Sequence, residues 1–128
     1  MEINLTQEQG KVPVVVLKVK GNITSEVELQ AKAKEAHDAG SHHILLDLSD
    51  VAYMSSAGLR ALHSIFSMLR THSESDQATK AGIAAGTYLS PNFKLYKPNK
   101  HVMEVLKTSG YDMFLEIHQD YKKAIQSF

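Results

Sequence analysis

Asp47-Leu48-Ser49-Asp50-Val51-Ala52-Tyr53-Met54-Ser55-Ser56-Ala57-Gly58-Leu59-Arg60 is the stretch that decides the fold. It opens inside an apolar run, Ile44, Leu45, Leu46 and Leu48, too short for a helix and therefore read as a central strand. Ser49-Asp50 makes a turn, and residues 51–54 read as a second extended piece. Beyond the two serines, Leu59, Leu62, Phe66 and Leu69 fall at offsets 0, 3, 7 and 10, supported by Ile65. That spacing is the apolar stripe of an amphipathic helix. A buried strand thus runs through two serines and two small residues into a helix start. Serine hydroxyls there can take up the free amides of the first turn. The same place suits a phosphate, because unpaired N–H groups and the helix dipole both favour negative charge. Ala57 and Gly58 also fit close packing of the helix start on the sheet. The residues alone leave N-capping and phosphate binding both open, capping being the plainer reading.

Outward from this junction the chain alternates. Val12, Val14, Val15, Val16, Leu17 and Val19 form a β-branched strand that ends at Gly21-Asn22. Ile3 and Leu5 alternate with polar residues before it, and Gly10-Lys11 serves as the hairpin turn. Ser25-Glu26-Val27-Glu28 has the form of a capping box, opening a helix that runs through Ala31, Ala33 and Ala36 to a left-handed stop at Gly40. Phe93–Tyr96 reads as a short strand closed by Pro98, and the alternation of Phe93-Lys94-Leu95-Tyr96-Lys97 suggests that it is half-buried. Val102, Val105 and Leu106 mark a further helix ending at Ser109-Gly110. Phe114, Leu115 and Ile117 suggest a last strand, and Tyr121, Ala124 and Ile125 a last helix.

The order β-β-α-β-α-β-α-β-α predicts an α/β fold, a mixed sheet with helices packed against it. Residues 1–128 form a single domain, with 71–91 as an irregular insertion between the second main helix and the following strand. Val14, Val16, Leu46, Leu48, Leu59, Leu62 and Phe66 are the expected core.

Bulk properties narrow the function. At 128 residues, 43% hydrophobic and 22% charged, the chain can bury one core without metals or disulfides. Fourteen basic residues balance fourteen acidic ones, which leaves no electrostatic footprint for nucleic acid or an anionic membrane. Cysteine is absent, so thiol chemistry and iron–sulfur clusters are excluded. The first ten residues do not have the form of a signal peptide, and the longest apolar run, residues 12–17, is too short to span a bilayer. A cytoplasmic protein is expected.

The chemical motifs are mostly missing. The seven histidines are scattered, and His42 and His43 point opposite ways if extended; no metal site is expected and surface positions are. Ser56 has Met54 where a nucleophile elbow would have glycine. His63 lies roughly 10 Å along the helix by rise, too far to be its base. No phosphate-binding glycine loop occurs, so no cofactor is expected, and any ATP belongs to a partner. The chain is read as not an enzyme.

Met54-Ser55-Ser56-Ala57-Gly58-Leu59-Arg60, placed between strand and helix, resembles the signature of STAS domains, the family of anti-sigma factor antagonists and of anion-transporter tails. Gly21-Asn22-Ile23-Thr24 is similar to that family's glycine-led turn before the first helix, and residues 102–117 to its closing helix and strand. The resemblance implies a partner-switching protein that binds an anti-sigma factor or serine kinase, with a serine phosphatase as a further possible partner. It places the phosphoacceptor on Ser56, with Ser55 as second candidate. The partner-binding residues it implies are Asn22, Ile23, Thr24, Ser55, Ser56, Ala57, Gly58, Leu59 and Arg60. Ser55 and Thr24 stand where phosphorylated members usually carry aspartate. That departure supports an alternative, a constitutive adaptor docking on a transport ATPase or signalling scaffold without a phosphorylation cycle.

Overall fold

A computed structural model describes residues 2–70 and 92–128. Five strands, β1 (Glu2–Gln9), β2 (Pro13–Lys20), β3 (Ile44–Asp50), β4 (Phe93–Tyr96) and β5 (Ile117–His118), form one sheet in that order. β1 is antiparallel to β2, as a short hairpin requires, and the other neighbours are parallel. The parallel crossovers are made by α1 (Glu26–Asp38), α2 (Ser56–Arg70) and α3 (Lys100–Thr108), and α4 (Tyr121–Gln126) follows β5. The expected insertion at 71–91 lies outside the described residues.

The sheet is buried on two sides, and this corrects the expected core. Val15, Leu17, Val19, Ile44, Leu46 and Leu48 face Leu29 of α1, Leu62 and Ile65 of α2, and Val102 and Leu106 of α3. Val14 and Val16 join Leu45 on the opposite face, beneath Ala124 and Ile125 of α4. Strand side chains alternate between faces, and a run apolar at nearly every position does not say which face meets which helix. Leu62 and Phe66 are core as expected, whereas Leu59 is only partly buried at its margin.

Local capping differs in detail. Ser25 occupies the N-cap of α1 with extended backbone, but its side chain makes no capping bond, so the expected capping box does not form. Gly40 stands just beyond the helix with φ +100°, the left-handed stop expected of it. Residues 51–54 do not form a strand; only Met54 pairs, in an isolated parallel bridge with Ile23. Phe114 and Leu115 likewise precede the last strand, after a 3₁₀ turn at Tyr111–Met113.

β4 is not half-buried but enclosed on both faces. Lys94, with its side chain 4% exposed, lies 2.8 Å from Glu116. It also donates to the carbonyl (2.8 Å) and hydroxyl (3.1 Å) oxygens of Ser127 and sits 5.1 Å from the centre of the Phe128 ring. A buried ammonium is tolerated only with such partners, and these tie the segment after α4 to the sheet. The histidines are also less superficial than expected. His37, His42, His43 and His118 are half-buried; His63 and His101 are exposed. Burial, followed by the neighbouring charges of His42 and Lys94, holds the His43 imidazole below its usual range. Protonation is thus disfavoured in the folded state, and lowering the pH through the ordinary histidine range opposes folding.

Leu62 is fully buried between α2 and the sheet. Leu62→Ala is expected to cost about 2–5 kcal/mol in denaturant melts. A loss below about 1 kcal/mol would contradict this packing.

Candidate functional site

Helices α1, α2 and α3 all begin at the carboxyl edge of the parallel strands, where open α/β sheets present their loops. Two of these loops are laced together. Gly21, at φ 93°, directs its N–H to the Asp50 carbonyl (3.2 Å). Ile23 N–H reaches the Tyr53 carbonyl at 2.9 Å, and Ser55 N–H returns to the Ile23 carbonyl at 2.9 Å. The Ile23 and Met54 side chains are buried beneath this seam. Gly58 makes the approach possible. A β-carbon there would lie 2.7 Å from Met54 Cγ, 2.9 Å from Ile23 Cγ2 and 3.0 Å from the Ile23 carbonyl oxygen.

The two serines are chemically distinct. Ser55 is the cap: its hydroxyl donates to the Ile23 carbonyl (3.2 Å) and accepts from Gly58 N–H (3.3 Å). Ser56 is the first residue of α2, is exposed, and has no hydrogen-bond partner for its hydroxyl among the described residues. The first turn of α2 carries no acidic residue, so nothing within it neutralises the positive end of the dipole. Arg60, one turn on from Ser56, lies with Nε 3.3 Å from Glu26 of α1. Asn22 and Thr24 are exposed on either side of the buried Ile23.

The nine residues singled out from the sequence therefore meet in one region, but not in one role. Asn22, Thr24, Ser56 and Arg60 are exposed, Ser55, Ala57 and Leu59 are half-buried, and Ile23 and Gly58 lie beneath and position the rest. Three neighbours were missed. Asn99 caps α3 by accepting from Val102 N–H (2.8 Å), while its amide donates to the carbonyls of Val51 (3.0 Å) and Ala52 (3.2 Å). An asparagine after Pro98 and before a helical stripe was a legible cap signal. Tyr53, 43% exposed, stacks on His101 with ring centres 5.4 Å apart, and Val27 is 72% exposed at the start of α1. Nothing in the spacing of these apolar residues marks them as outward-facing. Among the described residues no three histidine or carboxylate side chains gather as a metal would require. Among the described residues, the arrangement provides a free hydroxyl at a helix N-terminus with no base hydrogen-bonded to it.

Because Ser55 uses both its proton and a lone pair, Ser55→Ala is expected to cost about 0.5–2 kcal/mol. Ser56→Ala should stay within about 0.5 kcal/mol. Gly58→Ala, whose β-carbon must displace the buried Met54 and Ile23 side chains, should cost about 1–3 kcal/mol. Parallel urea melts check the three, and equal losses for both serines would contradict the division of roles.

The description "STAS domain" applies to a family profile that matches residues 4–73. Solved structures share the fold. An anti-sigma factor antagonist from Mycobacterium paratuberculosis superposes with a TM-score of 0.68 at 16% identity, over 98% of this chain and 93% of that one. The anti-sigma factor antagonist SpoIIAA in its unphosphorylated form gives 0.61 at 13% identity, over 95% and 92%. The Bacillus cell fate determinant SpoIIAA in its phosphorylated form gives 0.61 at 15% identity, over 95% and 96%. No curated protein sequence matches significantly. With more than half of its length matched by the family profile, and with the family's mixed sheet and helices in place, the chain belongs to the STAS domain family.

Proposed function

We propose that this chain is a partner-switching protein of the anti-sigma factor antagonist kind, acting in the cytoplasm and controlled by phosphorylation of Ser56. The observation that carries this reading is the division between the serines. Ser55 is consumed in the cap, whereas Ser56 is exposed and offers its hydroxyl freely. The fold is shared with a protein solved in both unphosphorylated and phosphorylated forms, which supports such a cycle. The partner, an anti-sigma factor or related serine kinase, would read Asn22, Thr24, Ser56 and Arg60, and would supply the ATP. In this reading the chain is a ligand and a kinase substrate rather than a catalyst.

Phosphorylation would place about −1.5 to −2 charge on that surface. Free N–H groups, the α2 dipole and nearby Arg60 can accommodate it within the domain, so the modified protein stays folded while the fit to the partner is lost. The adaptor reading keeps one argument. Ser55 and Thr24 stand where the switching members usually have acids, and the first turn of α2 is without a carboxylate. A phosphatase, if the cycle operates, would reset the switch.

Incubation with the cognate kinase and ATP, followed by mass-spectrometric site mapping, should find one phosphate, on Ser56. Ser56→Asp should weaken the complex at least about tenfold, which is 1.4 kcal/mol, with little change in melting temperature. Ser56→Ala should bind without being released. Phosphate only on Ser55, or on neither serine with an active kinase present, would overturn the switch in favour of the adaptor.

A further inference from the structure

Arg60 joins the two helix starts of the site. From the second turn of α2 its Nε donates to Glu26 Oε2, in the first turn of α1, at 3.3 Å. That is longer than the roughly 2.7–2.9 Å of a strong charge-assisted bond. Both side chains reach solvent, 62% and 35% exposed, so the pair is screened and contributes little to stability. The terminal guanidinium nitrogens make no hydrogen bond among the described residues. Arg60 is therefore held weakly, with most of its donors unused.

Ser56 and Arg60 stand four positions apart on α2, which sets them on one helix face with β-carbons about 5–6 Å apart. Helical side chains lean toward the N-terminus, so the long Arg60 side chain can reach back over the turn that Ser56 begins. Along a helix, an acid at the first such position and a base at the second is the favoured order. Ser56 supplies the acid only when phosphorylated, since the first turn of α2 has no carboxylate of its own. A phosphate then carries about twice the charge of a carboxylate, and its three oxygens suit the paired donors of a guanidinium. Glu26 loses little by the exchange, because the α1 dipole still favours a negative charge in its first turn.

We propose that a phosphate on Ser56 draws Arg60 away from Glu26, a step that rests on the proposed phosphorylation, so that one covalent event changes the charge at two helix starts. In the unmodified chain Arg60 and Glu26 cancel and Ser56 is neutral. After the exchange the phosphate and Arg60 together leave about −1 at the start of α2, and Glu26 leaves about −1 at the start of α1. Without it, the whole change would sit on α2. Glu26 follows Thr24 by two residues and has Glu28 in the same turn, so the second charge arises beside the other segment of the surface. No backbone has to move. Leu29 of α1 and Leu62 of α2 stay in the common core while two exposed side chains change partners.

The test uses the full chain with phosphoserine installed at residue 56 during translation, so that no kinase is needed, and circular dichroism checks folding. The two arginines, Arg60 and Arg70, give two Nε–H signals in a nitrogen–proton NMR spectrum, and Arg70→Lys assigns them. In the unmodified chain Glu26→Gln should shift the Arg60 signal. In the phosphoserine chain that signal should move downfield, and Glu26→Gln should no longer shift it. In a phosphorus NMR titration the phosphate midpoint, ordinarily near about pH 6, should lie at least about half a unit lower than in the Arg60→Gln variant. An Arg60 signal that answers Glu26→Gln equally in both chains, or in neither, overturns the exchange. So does a phosphate midpoint that ignores Arg60→Gln. Either result leaves the Ser56 switch standing, whereas failure of the switch is read separately, by a cognate kinase that does not mark Ser56.

Discussion

The exchange of backbone hydrogen bonds between Ile23 and residues 53–55 is the constraint from which the site follows. Two loops 32 residues apart in the chain are held in contact by bonds at 2.9 Å in each direction, above the buried side chains of Ile23 and Met54. The contact sets where α2 can begin. Gly58 must have no side chain, Ser55 must cap, and Ser56 is left as the first residue whose side chain is free to face outward. Exposure of one serine and confinement of the other thus have a single origin. Asn99 extends the arrangement by capping α3 while holding residues 51 and 52, so three helix starts share one framework.

On the far face the problem is different. α4 has six residues and brings only Ala124 and Ile125 into the core. Apolar area of that size contributes a few kcal/mol at most. Lys94 adds directional bonds to Glu116 and Ser127, which specify where the chain runs as well as that it is buried. Breaking one side of such a set is costly because it leaves a buried charge without partners.

Much of this was legible in the residues. Phe93–Tyr96 was bounded correctly by Pro98 and its own alternation, the α2 stripe gave Leu62 and Phe66, and Gly40 marked a helix end. The region where the candidate residues meet was legible too, because small residues and serines at a strand-to-helix junction are few. What escaped was whatever depends on a neighbour distant in sequence. The faces of Val14 and Val15 depend on which helix covers which side. The burial of Lys94 depends on Ser127 and Glu116, and the stacking of Tyr53 depends on His101. Ser25 carried the capping-box pattern without making the bond, since the pattern records which groups are available and not which way the hydroxyl turns.

The seam at Ile23 also bears on quality control. In an unfolded chain Ser56 is one serine among several, flanked by another, and Asn22 and Thr24 are remote from it. Only when β2 and β3 have paired, and α1 and α2 have docked, do these residues come together on one surface. Under the proposed function, a partner that reads the two segments together would read a finished tertiary structure. Nascent or damaged copies, although they have every residue of the site, would not compete for it.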